Sequence, residues 1–195
     1  MTVEQFRILW EADEHLSKFS KEDLAKFNLN DATASFLSIA GLPSSAAPFL
    51  TFVQTGGDKF NSICKLRELY DFLEQEFDKY VYIGYDGSGN PIVINTSNND
   101  KIEWLDHEDM FSSNYFNSSI NALGSCLIAQ MAFIETVNKE NGNDAYFNSD
   151  FTDSQFEKFR NDIETADLQC LIEEGFWKDC LDVELSMREQ YRQTL

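Results

Sequence analysis

From Tyr80 to Asp106 this chain carries three short β-type runs separated by two tight turns, and no other stretch restricts its fold as strongly. Val81, Ile83 and Tyr85 alternate against Tyr82 and Gly84, the period of a strand whose side chains face opposite ways. Asp86-Gly87-Ser88-Gly89-Asn90 offers the left-handed positions that a hairpin loop needs. Ile92, Val93 and Ile94 return, Asn98-Asn99-Asp100 turns again, and Ile102 to Leu105 makes a third strand. Turns this short join antiparallel neighbours, so the block predicts a meander.

Helical spacing surrounds it. Val3, Phe6, Leu9, Trp10 and Leu16 fall largely on one stripe and predict a first helix. Asp31 can cap a second, running through Ala40, which Gly41 ends and Pro43 keeps from resuming. Pro48 to Gln54 is short, aromatic and β-branched, a strand broken by Gly56-Gly57. Lys59 to Phe77 is ambiguous; a strand around Phe60 to Leu66 followed by a helical turn fits it best. Asn117 or Ser118 can cap a long helix bearing Ile120, Leu123, Leu127, Met131, Ile134 and Val137 three or four apart. Thr152-Asp153-Ser154-Gln155 is a capping box, with Phe151 and Phe156 at the staple positions. A last helix, from about Trp177 to Tyr191, buries Trp177, Leu181 and Leu185. Strands gathered in the middle with helices on both sides predict an α+β fold. Residues 1–140 are expected to form its core and residues 141–195 a helical extension packed on it.

Charge narrows the partners. Thirty-four Asp and Glu face 15 Lys and Arg, a net charge of −19. Such a chain repels nucleic acid and anionic lipid and attracts cations. Acidity for solubility alone is the competing account. Three windows hold acids without a base. Glu68, Asp71, Glu74, Glu76 and Asp78 make the first; Glu103, Asp106, Glu108, Asp109 and Glu135 the second; Asp162, Glu164, Asp167, Glu173 and Glu174 the third. Helix faces laced with ion pairs would need opposite charges three or four residues apart, so the windows fit solvated faces or a docking surface. The N-terminal stretch lacks a secretory pattern, no uninterrupted apolar run of the ~20 residues a bilayer requires stands out, and Cys64, Cys126, Cys170 and Cys180 form no close pair. The expectation is a cytoplasmic protein with reduced thiols.

Chemistry is scarce. Asp86 and Asn90 resemble calcium ligands, but Pro91 stands where the loop needs glycine and Ser97 where it needs glutamate, so a hairpin turn is the better account. His15 and His107 sit far apart among acids, without a nucleophile elbow or zinc spacing. The run Gly84 to Gly89 joins two strands instead of opening a helix, so it does not cradle phosphate. No catalytic residue, metal site or cofactor is expected.

Phe36-Leu37, Gly41-Leu42-Pro43, the PFLTF run, YVYIGYDGSGNPIVI, the Lys101 to Asp106 strand and Phe116-Asn117-Ser118-Ser119-Ile120 follow one another over residues 33–137. In that order and spacing the chain resembles the SUKH superfamily of bacterial immunity proteins, most closely its fourth subfamily. The resemblance implies a curved, mostly antiparallel sheet flanked by helices, and a role in neutralising toxins, often nucleases or deaminases, by binding them. Gly84 and Gly89 match family positions assigned to backbone geometry, and Gly41, Pro43, Asp86 and Gly87 belong to the same structural motif. Asn117 and Ser119 match the family's Asn-Ser motif, whose simplest role is helix capping.

Charge and resemblance agree on a cationic protein toxin as partner, with no nucleic acid and no membrane. The expected interface holds Glu103, Trp104, Asp106, Glu108, Asp109, Phe111 and Tyr115, and the window of Glu68, Asp71, Glu74, Glu76 and Asp78 is the alternative surface. Buried aromatics would anchor it and carboxylates would steer it. An intracellular adaptor of the same fold is the alternative, and a small hydrolase a more distant one.

Overall fold

Residues 1–10, 16–172 and 175–193 are described by a computed structural model. His15, Glu173 and Glu174 therefore lie outside the described residues. The meander forms as its turns require. Strands β1 (Leu16–Ser17) and β2 (Leu42–Pro43) make a small ribbon, and seven others build one sheet. These are β3 (Ser45–Ala46), β4 (Leu50–Phe52), β5 (Cys64–Lys65), β6 (Tyr80–Tyr85), β7 (Pro91–Asn95), β8 (Lys101–Asp106) and β9 (Ser112–Asn117). Every pairing between them is antiparallel, in the order β3-β4-β6-β7-β8-β9 with β5 also on β6.

Direct pairing sets Tyr82, Val93, Glu103 and Tyr115 in one row across the sheet. Val81, Ile94, Ile102 and Asn117 form another. β9 is absent from the sequence-level expectation because Ser112 to Asn114 are polar and carry no β signal; pairing with β8 holds them in place. Gly84 sits at the irregularity between Tyr82 and Gly84, where a Cβ would come within 2.3 Å of the Thr51 carbonyl oxygen. Only glycine lets β4 approach β6 there. Asp86 Oδ1 accepts from Ser88 N and Asn90 N, both at 2.9 Å, while Gly89 takes φ +88. The DGSGN loop thus satisfies its own carboxylate.

Helices α1 (Val3–Trp10), α2 (Lys21–Leu24) and α3 (Asp31–Ile39) precede the sheet, and α4 (Leu66–Leu69) interrupts its edge. The first helix is shorter than its stripe implied: Leu16 belongs to β1, and Leu9 is half exposed. Asn30, not Asp31, caps α3 by accepting from Thr33 N. Gly41 follows that helix at φ +86, and Pro43 takes part in β2. The long helix α5 (Ile120–Asn141) buries Leu123, Cys126, Leu127, Phe133 and Val137. An 18-residue window within it has mean hydropathy 1.4, long and apolar enough by composition to cross a bilayer. More than half of that window is buried within the fold, with Phe6 and Phe36 against Gly124 and Phe133 stacked on Phe159.

Behind α5 come α6 (Asp153–Ala166), α7 (Gln169–Ile172) and α8 (Phe176–Arg192). Thr152 and Gln155 complete the capping box, and the staple pair Phe151 and Phe156 stack at 5.9 Å. These helices share polar bonds with the core. Tyr146 donates to Glu184 Oε1 at 2.6 Å and accepts from Gln130 Nε2 at 3.1 Å, linking α8, the 142–150 loop and α5. Burial holds the Glu184 carboxyl above its ordinary value, although the Tyr146 hydrogen bond opposes the shift. The folded state then keeps a proton that the unfolded state releases, so stability falls as pH rises past the usual 4.5. Glu184→Gln keeps an acceptor for Tyr146 and removes that loss. Urea melts should show the variant and the parent alike at acid pH and the variant more stable at pH 8; equal midpoints at pH 8 would contradict this.

Candidate functional site

The acidic windows part company in the structure. Glu103, Phe111 and Tyr115, expected at an interface, are buried at 5%, 7% and 4% exposure. Glu103 accepts from Asn95 Nδ2 at 3.1 Å and Ser113 Oγ at 2.7 Å. A buried carboxylate needs such donors, and its place in the sheet row leaves no room for a partner's cation. Burial, then the neighbouring Glu103 charge, pushes the Tyr80 phenol up to about 12. Asp106 caps its own turn through the amides of Glu108 and Asp109. Trp104 is only partly exposed, with a buried Nε1 that finds no acceptor among the described residues.

Tyr115 and Asn117 instead hold the C-terminal helices. Tyr115 Oη donates to Asp167 at 3.0 and 3.1 Å, and Ser118 N donates to Asp167 Oδ2 at 2.7 Å. Asn117 Nδ2 also reaches Asp167 Oδ2, at 3.3 Å, and its Oδ1 accepts from Trp177 Nε1 at 3.0 Å. Ser119, not Asn117 or Ser118, is the N-cap of α5, accepting from Ala122 N. Asn117 is fully buried and serves as a strut between sheet and tail. Gly175 bridges Tyr115 in parallel, so close that a Cβ would lie 2.4 Å from the Tyr115 carbonyl oxygen. The free edge of β9 is thereby covered at Tyr115. Asp167, counted among the acids of the third window, is a buried hub, and Asp162 of that window pairs with Lys158.

Two windows do converge. Phe111 packs edge-on against Tyr70, Phe72 and Phe77, with centroids 4.9, 6.0 and 6.3 Å away. This cluster draws the 70–78 segment to the turn between β8 and β9. Asp71, Glu74, Glu76, Glu108 and Asp109 are exposed around it, without an ion pair of their own among the described residues. Glu68 and Asp78 are spoken for: Glu68 accepts from Lys65 N, and Asp78 pairs with Arg67 at 2.7 Å.

Two apolar side chains of these segments are also exposed, Phe72 at 69% and Met110 at 88%. Neither was singled out in the sequence. Met110 and Phe111 take φ +53 and +60 at the centre of the turn, which Ser112 N closes onto the Asp109 carbonyl at 2.8 Å. Left-handed backbone at two bulky residues costs about 1–2 kcal/mol each. The aromatic cluster beneath Phe111 offsets that cost, and Met110 is presented outward.

Catalytic geometry is not assembled around the histidine described. His107 is exposed, its Nδ1 lying 2.7 Å from Asn90 Oδ1. Among the described residues no group of three or more His, Cys, Asp or Glu side chains is placed to hold a metal. Burial raises the thiols of Cys64, to about 11, and of Cys180, and Cys126 and Cys170 are wholly interior. Burial that disfavours the thiolate makes a cysteine unreactive.

The sequence model of a family described as SUKH-4 immunity protein matches residues 9–183. The match runs well past residue 137 and takes in most of the C-terminal helices, which the sequence-level resemblance did not reach. No curated protein and no solved structure matches the chain.

Proposed function

Because the chain belongs to the SUKH-4 immunity protein family, we propose that it neutralises a cognate toxin by direct contact through its acid-ringed aromatic face. The observation that carries this reading is the packing of Phe111 on Tyr70, Phe72 and Phe77, which brings together the two segments that bear the exposed Asp71, Glu74, Glu76, Glu108 and Asp109. A cationic toxin, a nuclease or deaminase whose substrate is itself anionic, fits that face. Carboxylates would occupy the site where phosphates bind, and the long-range field would raise the encounter rate. The chain acts by binding and needs no catalytic group or cofactor. It works in the cytoplasm, where such a toxin would meet its substrate.

The test is reversal of the four carboxylates Glu74, Glu76, Glu108 and Asp109 to lysine. All are exposed, so the fold should persist with an unchanged circular dichroism melt. Association with the toxin encoded beside this chain's gene is expected to slow by roughly tenfold or more at low salt. Cells carrying the variant should lose protection. Protection and binding at parental levels would remove this face from the interface. A gene that stands alone, with no toxin beside it, would favour the adaptor reading instead.

A further inference from the structure

We infer that Phe72 and Met110 form the apolar anchor of this face, and that the partner it fits is a basic protein presenting an apolar socket inside a cationic rim. The inference rests on the immunity reading and adds the two residues that would decide how long the complex lasts. Large apolar side chains so exposed are ordinary when scattered, but these two share one neighbour, Phe111, which Phe72 packs against and Met110 precedes in the chain. Phe72 lies edge-on to both Tyr70 and Phe111, at 6.1 and 6.0 Å, and Met110 precedes Phe111 in the turn. Their base is stiff, because Phe111 and Leu73 are buried and Arg67 ties the segment by donating to the Leu73 carbonyl at 2.8 Å. A preformed anchor loses little freedom on docking. Unbranched, polarisable Met110 can adapt to a socket, whereas Phe72 brings area.

Charge complementarity names the occupant. Asp71, Glu74, Glu76, Glu108 and Asp109 are exposed within three residues of the packed rings of Tyr70, Phe72, Phe77 and Phe111, so a matching surface must be cationic beside its apolar centre. At a net charge of −19 a second copy of this chain would be repelled from the same face. Anchors near the middle of an interface govern dissociation, and rim charges govern association and its salt dependence.

The probe is the purified toxin domain encoded by the adjacent gene, immobilised and measured at 50 and 500 mM salt. Phe72→Ala combined with Met110→Gly should speed dissociation by about a hundredfold or more at both salt concentrations, with association within roughly threefold of the parent. Glycine suits the Met110 backbone better than methionine does, so Met110→Gly alone should melt no lower than the parent while binding less well. That pairing separates lost binding from lost folding. Parental dissociation in the double variant overturns the anchor but leaves the immunity reading standing. A parent chain that fails to bind or to protect overturns the immunity reading. Equal binding by cytochrome c, a basic protein of unrelated shape, or sedimentation of the parent as a dimer that Met110→Gly dissolves, would each overturn the proposed occupant.

Discussion

Asp167→Ala is expected to lower stability by about 3 kcal/mol, because it strips the acceptor from three donors at once. Tyr115 Oη, Asn117 Nδ2 and Ser118 N all converge on this carboxylate inside the fold. Bonds to a charged group contribute about 1.5–3 kcal/mol each, and part of that sum is offset by releasing a desolvated charge. For a domain of this size the melting midpoint should fall by roughly 6–12 °C. Burial, with the adjacent Asp167 charge, holds the Tyr115 phenol well above its ordinary value; the variant should bring its titration back toward 10. Asp167→Asn keeps one acceptor oxygen and should lose about half as much. A midpoint within about 2 °C of the parent in Asp167→Ala would mean that the hub does not hold the tail.

The second large effect is expected at Trp177. Its ring is 1% exposed, packed against Phe116 at 6.0 Å and Phe176 at 5.3 Å. Phe116 and Phe176 in turn stack at 4.3 Å. Trp177→Ala removes a large buried side chain and leaves Asn117 Oδ1 without its donor, at a cost of about 3–5 kcal/mol. Trp177→Phe keeps most of the bulk and should cost about 1–2 kcal/mol for the lost hydrogen bond and the smaller ring. The alanine variant also loosens the cover over β9, so it should aggregate on heating and be cut first near residues 167–175 by limited proteolysis. Cleavage confined to the 142–150 loop, with unchanged denaturant midpoints, would contradict this account. Loss of protection in either tail variant would be indirect, since neither residue lies on the acid-ringed face.

Local chemistry was legible where it is self-contained. The three strands from Tyr80 to Asp106, the capping box at Thr152 and the long apolar period of α5 are set by residues within a few positions of one another. β9 escaped because its first residues are polar and its strand state comes from β8 alone. Asn117 looked like a cap because it stands one turn ahead of a helix; burial under a tail 60 residues onward makes it a strut. The charged windows show the same limit. Glu103 and Glu108 are alike in sequence, yet one lies in a sheet row against Asn95 and Ser113 while the other faces water. Phe72 and Met110 carried no period and no motif, and their exposure follows from how Phe111 seats.

What the chain determined by itself is its class, the two turns of its meander, the capping box of α6 and the sign of its field. Backbone preference and side-chain period act over a handful of residues, and the sign of a net charge of −19 survives the few protons that burial retains. Which carboxylates remain in solvent, which aromatics pack and which protrude, and how the inner end of β9 is held by a segment 50 to 60 residues onward were decided by tertiary contacts. Burial belongs to the assembled molecule, because a side chain is desolvated only by neighbours that the chain brings to it from afar.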